Sequence, residues 1–380
     1  MSSTLPSVSS ARISWLDTVR VLACFLVIVC HSTDAFTQTP DGSVDGTAAL
    51  FVSGVRACVP LFVMISGALL LPMRGTAEDF FKRRFSRVIV PFLIWGVVLA
   101  LLPLPKGESD WAPSNLFEKQ VHDLPHSAPG KILYNIGMLP INFTNSNIHF
   151  WFLYIILGLY LFVPVISPWV RQASVKGLCA FLGVWVFTLC LPYLQHVPGH
   201  ELFPALHGEC DWNSRGMTYY FGGYLGYLLL GHLLTHLPAL APAKAVPLAV
   251  GMFALGWTIT HQGFIWTVLH QTKSKDLEFF IEFLSPNVAL MTAALFILCR
   301  AFPLSGGAGK AMAHLASMSF GIFLIHYWML LWVRDWALVK VLPQLGAGPA
   351  ILLLATITFI ASWVISMIVS LLPGKRWLLG

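Results

Sequence analysis

Ten stretches of this chain approach the roughly 20 mostly apolar residues that a helix needs to cross a hydrocarbon core, and no other feature narrows its fold as sharply. They run over Trp15–Phe36, Ala49–Pro72, Arg87–Leu104, Phe150–Val170, Leu178–His196, Tyr219–Leu237, Val246–Gly263, Val288–Phe302, Ala313–Val333 and Pro349–Leu372. The eighth is short, and polar residues interrupt the seventh near its end. Only 11% of the residues are charged and 57% are hydrophobic, whereas a soluble domain carries roughly 25% charged residues. Lipid, not water, is the solvent for most of such a chain. The sequence therefore predicts an all-α polytopic membrane protein of about ten transmembrane helices.

The loops orient these spans. With the N-terminus inside, the inner side receives Arg12, Arg20, Arg74, Lys82, Arg83, Arg84, Arg87, Arg171, Lys176, Lys244, Arg300, Lys310, Lys375 and Arg376, which is 14 of the 23 basic residues. Of the 17 acidic residues only Asp17, Glu78 and Asp79 fall inside. Cytoplasmic loops carry an excess of Lys and Arg, and an odd number of spans breaks the alternation. Both termini are accordingly expected in the cytoplasm. Residues 1–14 form an N-terminal tail, 15–372 the transmembrane domain and 373–380 a C-terminal tail. Topology thus explains the net charge of +6, and nucleic acid is not expected as a partner.

Several simpler classes drop out. The seven cysteines are scattered without a CxxC spacing, and six lie in or beside apolar runs, so neither a disulfide framework nor a zinc site is expected. Met1 to Ser14 is Ser-rich and lacks a small-residue cleavage site after a short apolar core, so the first apolar segment is read as a retained helix and not a signal peptide. Two outer loops are long. Pro105 to His149 carries a short helical stretch around Leu116–Val121, and Val197 to Thr218 carries Glu201, Glu209, Asp211 and Arg215. Loops of this length commonly carry function, and here they are placed to roof an outward-facing site.

The chemistry concentrates on the first span. Arg20 and His31 lie eleven positions apart, three helical turns and a small remainder, so they project from nearly one face about 16 Å apart along the axis. Asp17 and Asp34 fall three residues to either side, on the same face. Four ionisable groups on one stripe of a spanning helix are expensive in lipid and need a protein interior or a wet cavity. One reading makes Asp17 and Arg20 an interfacial anchor and His31 a hydrogen-bonded packing residue. The other makes the stripe functional, and the alignment of all four favours it. Histidine titrates near neutrality, so it can take a hydroxyl proton and return it. The orientation puts His31 in the outer half of the helix and Arg20 near its cytoplasmic end. Asp34, one turn farther out, is placed either to orient the imidazole or to serve as an interfacial carboxylate.

Further candidates follow along the chain. Ser66 and Gly67 in the second span allow close approach of another helix or of a ligand. Arg84 and Arg87 share a helix face ahead of Pro91. Guanidinium groups bind phosphate oxygens bidentately, so this inner pair suits the phosphates of a nucleotide-bearing donor such as coenzyme A. Positive-inside anchoring is the competing reading of this run and suffices for Lys82 and Arg83.

Together these segments resemble the acyltransferase-3 family of bacterial membrane O-acyltransferases. The family's Leu-Asp-x-x-Arg helix with a later His is matched by Leu16, Asp17, Arg20 and His31. Its Phe-x-x-Ser-Gly segment is similar to Phe62–Gly67, with one extra residue, and its Arg-x-x-Arg leading into a Pro to Arg84, Arg87 and Pro91. His149–Tyr154, Phe221–Gly226 and Ser319–His326 match later elements. The order of these motifs, spread over almost the whole chain, carries the resemblance more than any one of them. Within the family the chain looks most like the subgroup that includes enterobacterial common antigen O-acetyltransferase and the succinyltransferase of intercellular adhesin. It shows no hydrolase-type extension after the last span, so acyl transfer is expected within the membrane unit or with a separate partner.

The resemblance implies transfer of a small acyl group, acetyl by default and succinyl next, from cytoplasmic acyl-CoA to a hydroxyl of an extracytoplasmic or lipid-linked glycan. His31 carries over as the catalytic residue and Arg20 as a donor-binding or site-organising residue. Arg84, Arg87 and Ser66 carry over as donor-contacting or structural residues. His149 is either an acceptor contact or an interfacial residue, and His326 either a site residue or a buried packing residue. Acetyl-CoA is the implied donor substrate, membrane lipid and the polysaccharide-synthesis machinery are implied partners, and the bacterial inner membrane is the implied location. His31 acts either as general base or through an acyl-histidine intermediate.

The rival class is an exporter of glycan or lipid-linked intermediates, compatible with intramembrane charge but not supported by any internal repeat of the kind that builds many transporters. Gly306–Lys310 lacks the Ser or Thr and the preceding strand of a phosphate loop. The thirteen histidines form no HExxH pattern. His232 and His236 are four apart, at a cytoplasmic helix end, and no metal is expected.

Overall fold

The computed structural model describes residues 13–37, 44–102, 128–194, 206–208, 210, 213–270, 278–340 and 344–380. The fold is all-α. Among the described residues there is no strand, and an isolated β-bridge joins Cys210 and Asn213. The helices are α1 Ser14–Thr37, α2 Gly46–Val55, α3 Cys58–Leu70, α4 Ala77–Leu101, α5 Ala128–Met138, α6 Trp151–Gln172, α7 Val175–Leu194, α8 Tyr219–Gly222, α9 Leu225–His236, α10 Pro242–His270, α11 Pro286–Ala301, α12 Gly306–Lys340, α13 Ala347–Ser370 and α14 Arg376–Leu379. The expected stretch Leu116–Val121, the acidic residues Glu201, Glu209 and Asp211, and the tail through Arg12 lie outside the described residues.

Among the described residues, eight stretches are long and apolar enough to cross a bilayer: Ser14–Asp34, Gly46–Leu70, Ala77–Leu101, Asn147–Gln172, Val175–Leu194, Pro242–His270, Gly306–Arg334 and Ala347–Ser370. They make the chain a multi-pass membrane protein. The two remaining expected segments are helical but shorter. The eighth is α11, of 16 residues. The sixth is divided, because Gly223 is extended (φ −83°, ψ −171°) and separates the four residues of α8 from the twelve of α9. The second span is interrupted too, at Arg56–Ala57 between α2 and α3.

Helix starts follow local chemistry more than hydropathy. The third span begins at Ala77, well before Arg87, because the Thr76 side chain caps it by accepting from the Asp79 N–H at 3.1 Å. Glu78 and Asp79 then complement the helix dipole in the first turn. The basic run Lys82–Arg87 is consequently part of the helix. Ser285 caps α11 by accepting from the Val288 N–H, with Pro286 in the first turn, where its missing N–H costs nothing.

The chain forms two compact units. The first takes the described residues within Met1–Ala23, Arg56–Arg74 and Leu161–Lys310, and the second those within Cys24–Val55, Gly75–Tyr160 and Ala311–Gly380. In the first unit α3 and α9 pack backbone to backbone. A Cβ at Gly67 would overlap the carbonyl oxygen of Leu228, and one at Gly231 would overlap that of Met64. The small residues of the second span thus serve close helix packing, as small residues do where no hydrophobic drive separates helix from lipid. α10 and α11 are joined by the Asn287 amide, which donates to Thr260 Oγ1 and to the Phe280 carbonyl, both at 2.8 Å. In the second unit the indole of Trp95 on α4 donates to the Leu378 carbonyl of α14 at 2.9 Å, and Tyr154 donates to the Leu139 carbonyl at 2.6 Å. Side chains such as Val165, Phe187, Leu255 and Ile368 are exposed, which in a membrane protein means exposed to lipid.

Candidate active site

In the second unit, the C-terminal half of α1 carries His31 and Asp34 one turn apart. The Asp34 carboxylate lies 3.4 Å from His31 Nδ1, and both side chains are about a quarter exposed, 23% and 29%. The i,i+3 spacing read from the sequence is therefore realised as a contact.

Two other segments of the same unit close around the imidazole. Tyr327 on α12 meets the His31 ring edge to face, with ring centroids 5.2 Å apart. Its neighbour His326 lies 5.6 Å from His31 between centroids. His149 comes from the turn before α6 and completes the set, 5.0 Å from His326 and stacked 5.5 Å from Tyr327. The four rings form a closed circuit: His31, His326, His149, Tyr327 and back to His31.

Local sequence fixes this turn. Thr144 and Asn147 form a capping box at the start of a 3₁₀ segment, Asn145–Phe150, with the Thr144 N–H donating to Asn147 Oδ1 at 2.7 Å. Asn147 departs from helical geometry (φ −140°, ψ 36°), so the chain kinks just before His149. His149 Nε2 then donates to the Leu324 carbonyl of α12 at 3.0 Å. His326 Nδ1 donates to the Phe323 carbonyl at 2.6 Å. Both histidines are buried, 2% and 1% exposed.

The remaining sequence candidates are distributed as follows. Arg20 lies in the first unit, half-buried, with Nη1 3.8 Å from the carboxylate of the buried Asp17. Ser66, also in the first unit, donates its hydroxyl to the Phe62 carbonyl of its own helix at 3.1 Å. Arg84 and Arg87 stand on α4 in the second unit, Arg84 half-buried and Arg87 exposed. The structure thus joins His31 to Asp34 and Arg20 to Asp17.

Three features escaped the sequence reading. Tyr327 follows a motif that was legible, but only the tertiary fold turns it toward His31. In the sequence Arg215 stands out only as a member of a long polar loop. It is 4% exposed and forms a bidentate pair with Glu282, at 3.1 and 2.9 Å, while also donating to the Leu284 carbonyl. Arg56, an arginine inside an apolar segment, was a visible signal; its guanidinium lies over the Phe283 ring, 5.4 Å from the centroid.

Residues 13–367 match the acyltransferase domain that defines the acyltransferase-3 family. No curated protein and no solved structure matches the chain. The matched region takes in the apolar spans up to the last three residues of the final one, both partners of the His31–Asp34 contact and the whole ring circuit around them, and on that ground the chain belongs to the acyltransferase-3 family of membrane acyltransferases.

Proposed function

We propose that the protein moves a small acyl group, acetyl in the first instance, from cytoplasmic acyl-CoA to a hydroxyl of an extracytoplasmic or lipid-linked surface polysaccharide. In this reading the protein works as a member of the subgroup of enterobacterial common antigen O-acetyltransferase and intercellular adhesin succinyltransferase, in a bacterial inner membrane beside glycan-synthesis machinery. The observation that carries the reading is the Asp34 carboxylate at 3.4 Å from His31 Nδ1, taken with the family match. A carboxylate at Nδ1 holds the N–H on that nitrogen and assigns proton exchange to Nε2. His31 takes the proton of the attacking hydroxyl, the oxygen bonds to the thioester carbon, the carbon–sulfur bond breaks, and the proton passes to the departing thiolate.

The remaining candidates serve the donor. Arg20, toward the cytoplasmic end of α1, and Arg84 and Arg87 on α4 supply guanidinium groups suited to the phosphates of coenzyme A. Ser66 is a further donor-contacting residue in this proposal. Replacing His31 by Gln in a cell lacking the native gene, followed by mass analysis of the surface glycan, tests the reading. Loss of acyl substituents at normal protein abundance supports it, and wild-type acylation sinks it.

A further inference from the structure

His149 and His326 each spend one ring nitrogen on a main-chain carbonyl. A carbonyl oxygen only accepts, so His149 Nε2 and His326 Nδ1 must carry the protons. In a neutral imidazole the opposite nitrogen is then a bare acceptor. His149 Nδ1 and His326 Nε2 are buried and have no hydrogen-bond partner among the described residues. Two acceptors stripped of water without a donor are costly to keep. They lie in adjoining rings 5.0 Å apart, beside His31. Their main-chain partners, Leu324 and Phe323, are consecutive in α12, so a single turn of helix sets both rings.

We propose that His149 and His326 form a hydrogen-bond-accepting wall that receives an N–H or O–H of the substrate bound at His31. This rests on His31 being the base. A ligand donor at this wall satisfies nitrogens that are unpartnered in its absence, so the two rings favour a substrate carrying a second donor near the reacting centre. Two sources offer that chemistry: a hydroxyl of the acceptor polyol next to the one that reacts, and an amide N–H of the pantetheine arm near the thioester. Their role is to position, since the proton in flight belongs to His31. Tyr327, stacked on His149 and edge-on to His31, holds the wall against the base.

The two nitrogens of each ring can be tested separately, because an Asn amide stands in for Nδ1 and a Gln amide for Nε2. His149→Gln and His326→Asn keep the donor to the main chain and delete the bare acceptor. His149→Asn and His326→Gln keep an acceptor at the bare position and give up the main-chain bond. Full-length variants are expressed in cells lacking the native gene, and glycan acyl content is measured by mass spectrometry per unit of protein in the membrane. The wall predicts at least tenfold higher acylation in the acceptor-keeping pair than in the bond-keeping pair. Equal acylation in the two pairs, or more in the bond-keeping pair, overturns it in favour of simple packing. Titration of the purified bond-keeping variants with acetyl-CoA then separates the sources. Weakened binding assigns the donor to the pantetheine arm, and unchanged binding with low acylation assigns it to the acceptor. His31→Gln, run alongside, reports on the base independently: if it acylates normally, the underlying reading fails whatever the wall does.

Discussion

His149 and His326 meet edge to face, 5.0 Å between ring centroids, and each donates one N–H to α12, at Leu324 and Phe323 respectively. The pair ties the turn before α6 to the middle of α12, and His31 of α1 packs against the α12 side of it. Three segments distant in the chain thereby present their polar groups to one place in a largely apolar unit. Polar side chains in a membrane interior persist where they pair with one another or serve a pathway, and this cluster does the first through main-chain bonds.

The His31–Asp34 contact makes the two substitutions unequal. His31→Gln removes the base and is expected to lower acyl transfer by about 10²–10⁴-fold, the usual range for a general base. Asp34→Asn leaves the base and loses one charge-assisted bond, an expected loss of about 10- to 100-fold. Glycan acyl content in complemented cells checks both. An Asp34→Asn loss as large as that of His31→Gln would assign Asp34 a direct part in the chemistry.

The arginines separate donor binding from membrane anchoring. Arg84→Ala and Arg20→Ala are each expected to weaken acetyl-CoA binding by about tenfold, the worth of one charge-assisted hydrogen bond. Arg84→Lys keeps the charge but not the planar fork, so it restores only part of the affinity. Calorimetric titration of the purified protein gives the answer. Unchanged affinity in the Ala and Lys variants leaves anchoring as the role of Arg84.

Packing between α3 and α9 predicts a sharp contrast among helical glycines. Gly67→Ala and Gly231→Ala force a Cβ into the facing backbone and should destabilise by about 1–3 kcal/mol, the usual cost of overpacking. Gly158→Ala and Gly183→Ala meet nothing within 4 Å and should be neutral or gain up to about 1 kcal/mol of helix propensity. Thermal unfolding in one detergent compares all four.

The Arg215–Glu282 pair predicts an asymmetric response. Arg215→Met removes the bidentate bonds and the donor to Leu284 together, whereas Glu282→Gln leaves the Leu284 bond in place. Glu282 is 37% exposed, so water offsets part of its loss. The expected costs are about 2–4 kcal/mol for Arg215→Met and about 1 kcal/mol for Glu282→Gln. Unfolding midpoints of the purified variants measure the difference, and equal midpoints would remove the pair from the account of the fold.

Segment length and apolar composition alone determined that this chain is helical and crosses a membrane many times, because lipid admits few other arrangements. The same one-dimensional information paired His31 with Asp34 and Arg20 with Asp17, since positions three apart on a helix are neighbours wherever the helix lies. Hydropathy misplaced the start of the third span, where the Thr76 cap decides, and it did not show the breaks at Arg56–Ala57 and Gly223. His149, His326 and Tyr327 were beyond its reach as a group. Spacing along one helix says nothing about which face another helix turns toward it, and here that was settled by the kink at Asn147 and the carbonyls of Phe323 and Leu324. Arg215 and Glu282 show the same limit, because an ion pair joins residues from separate loops only after the helices between them have packed.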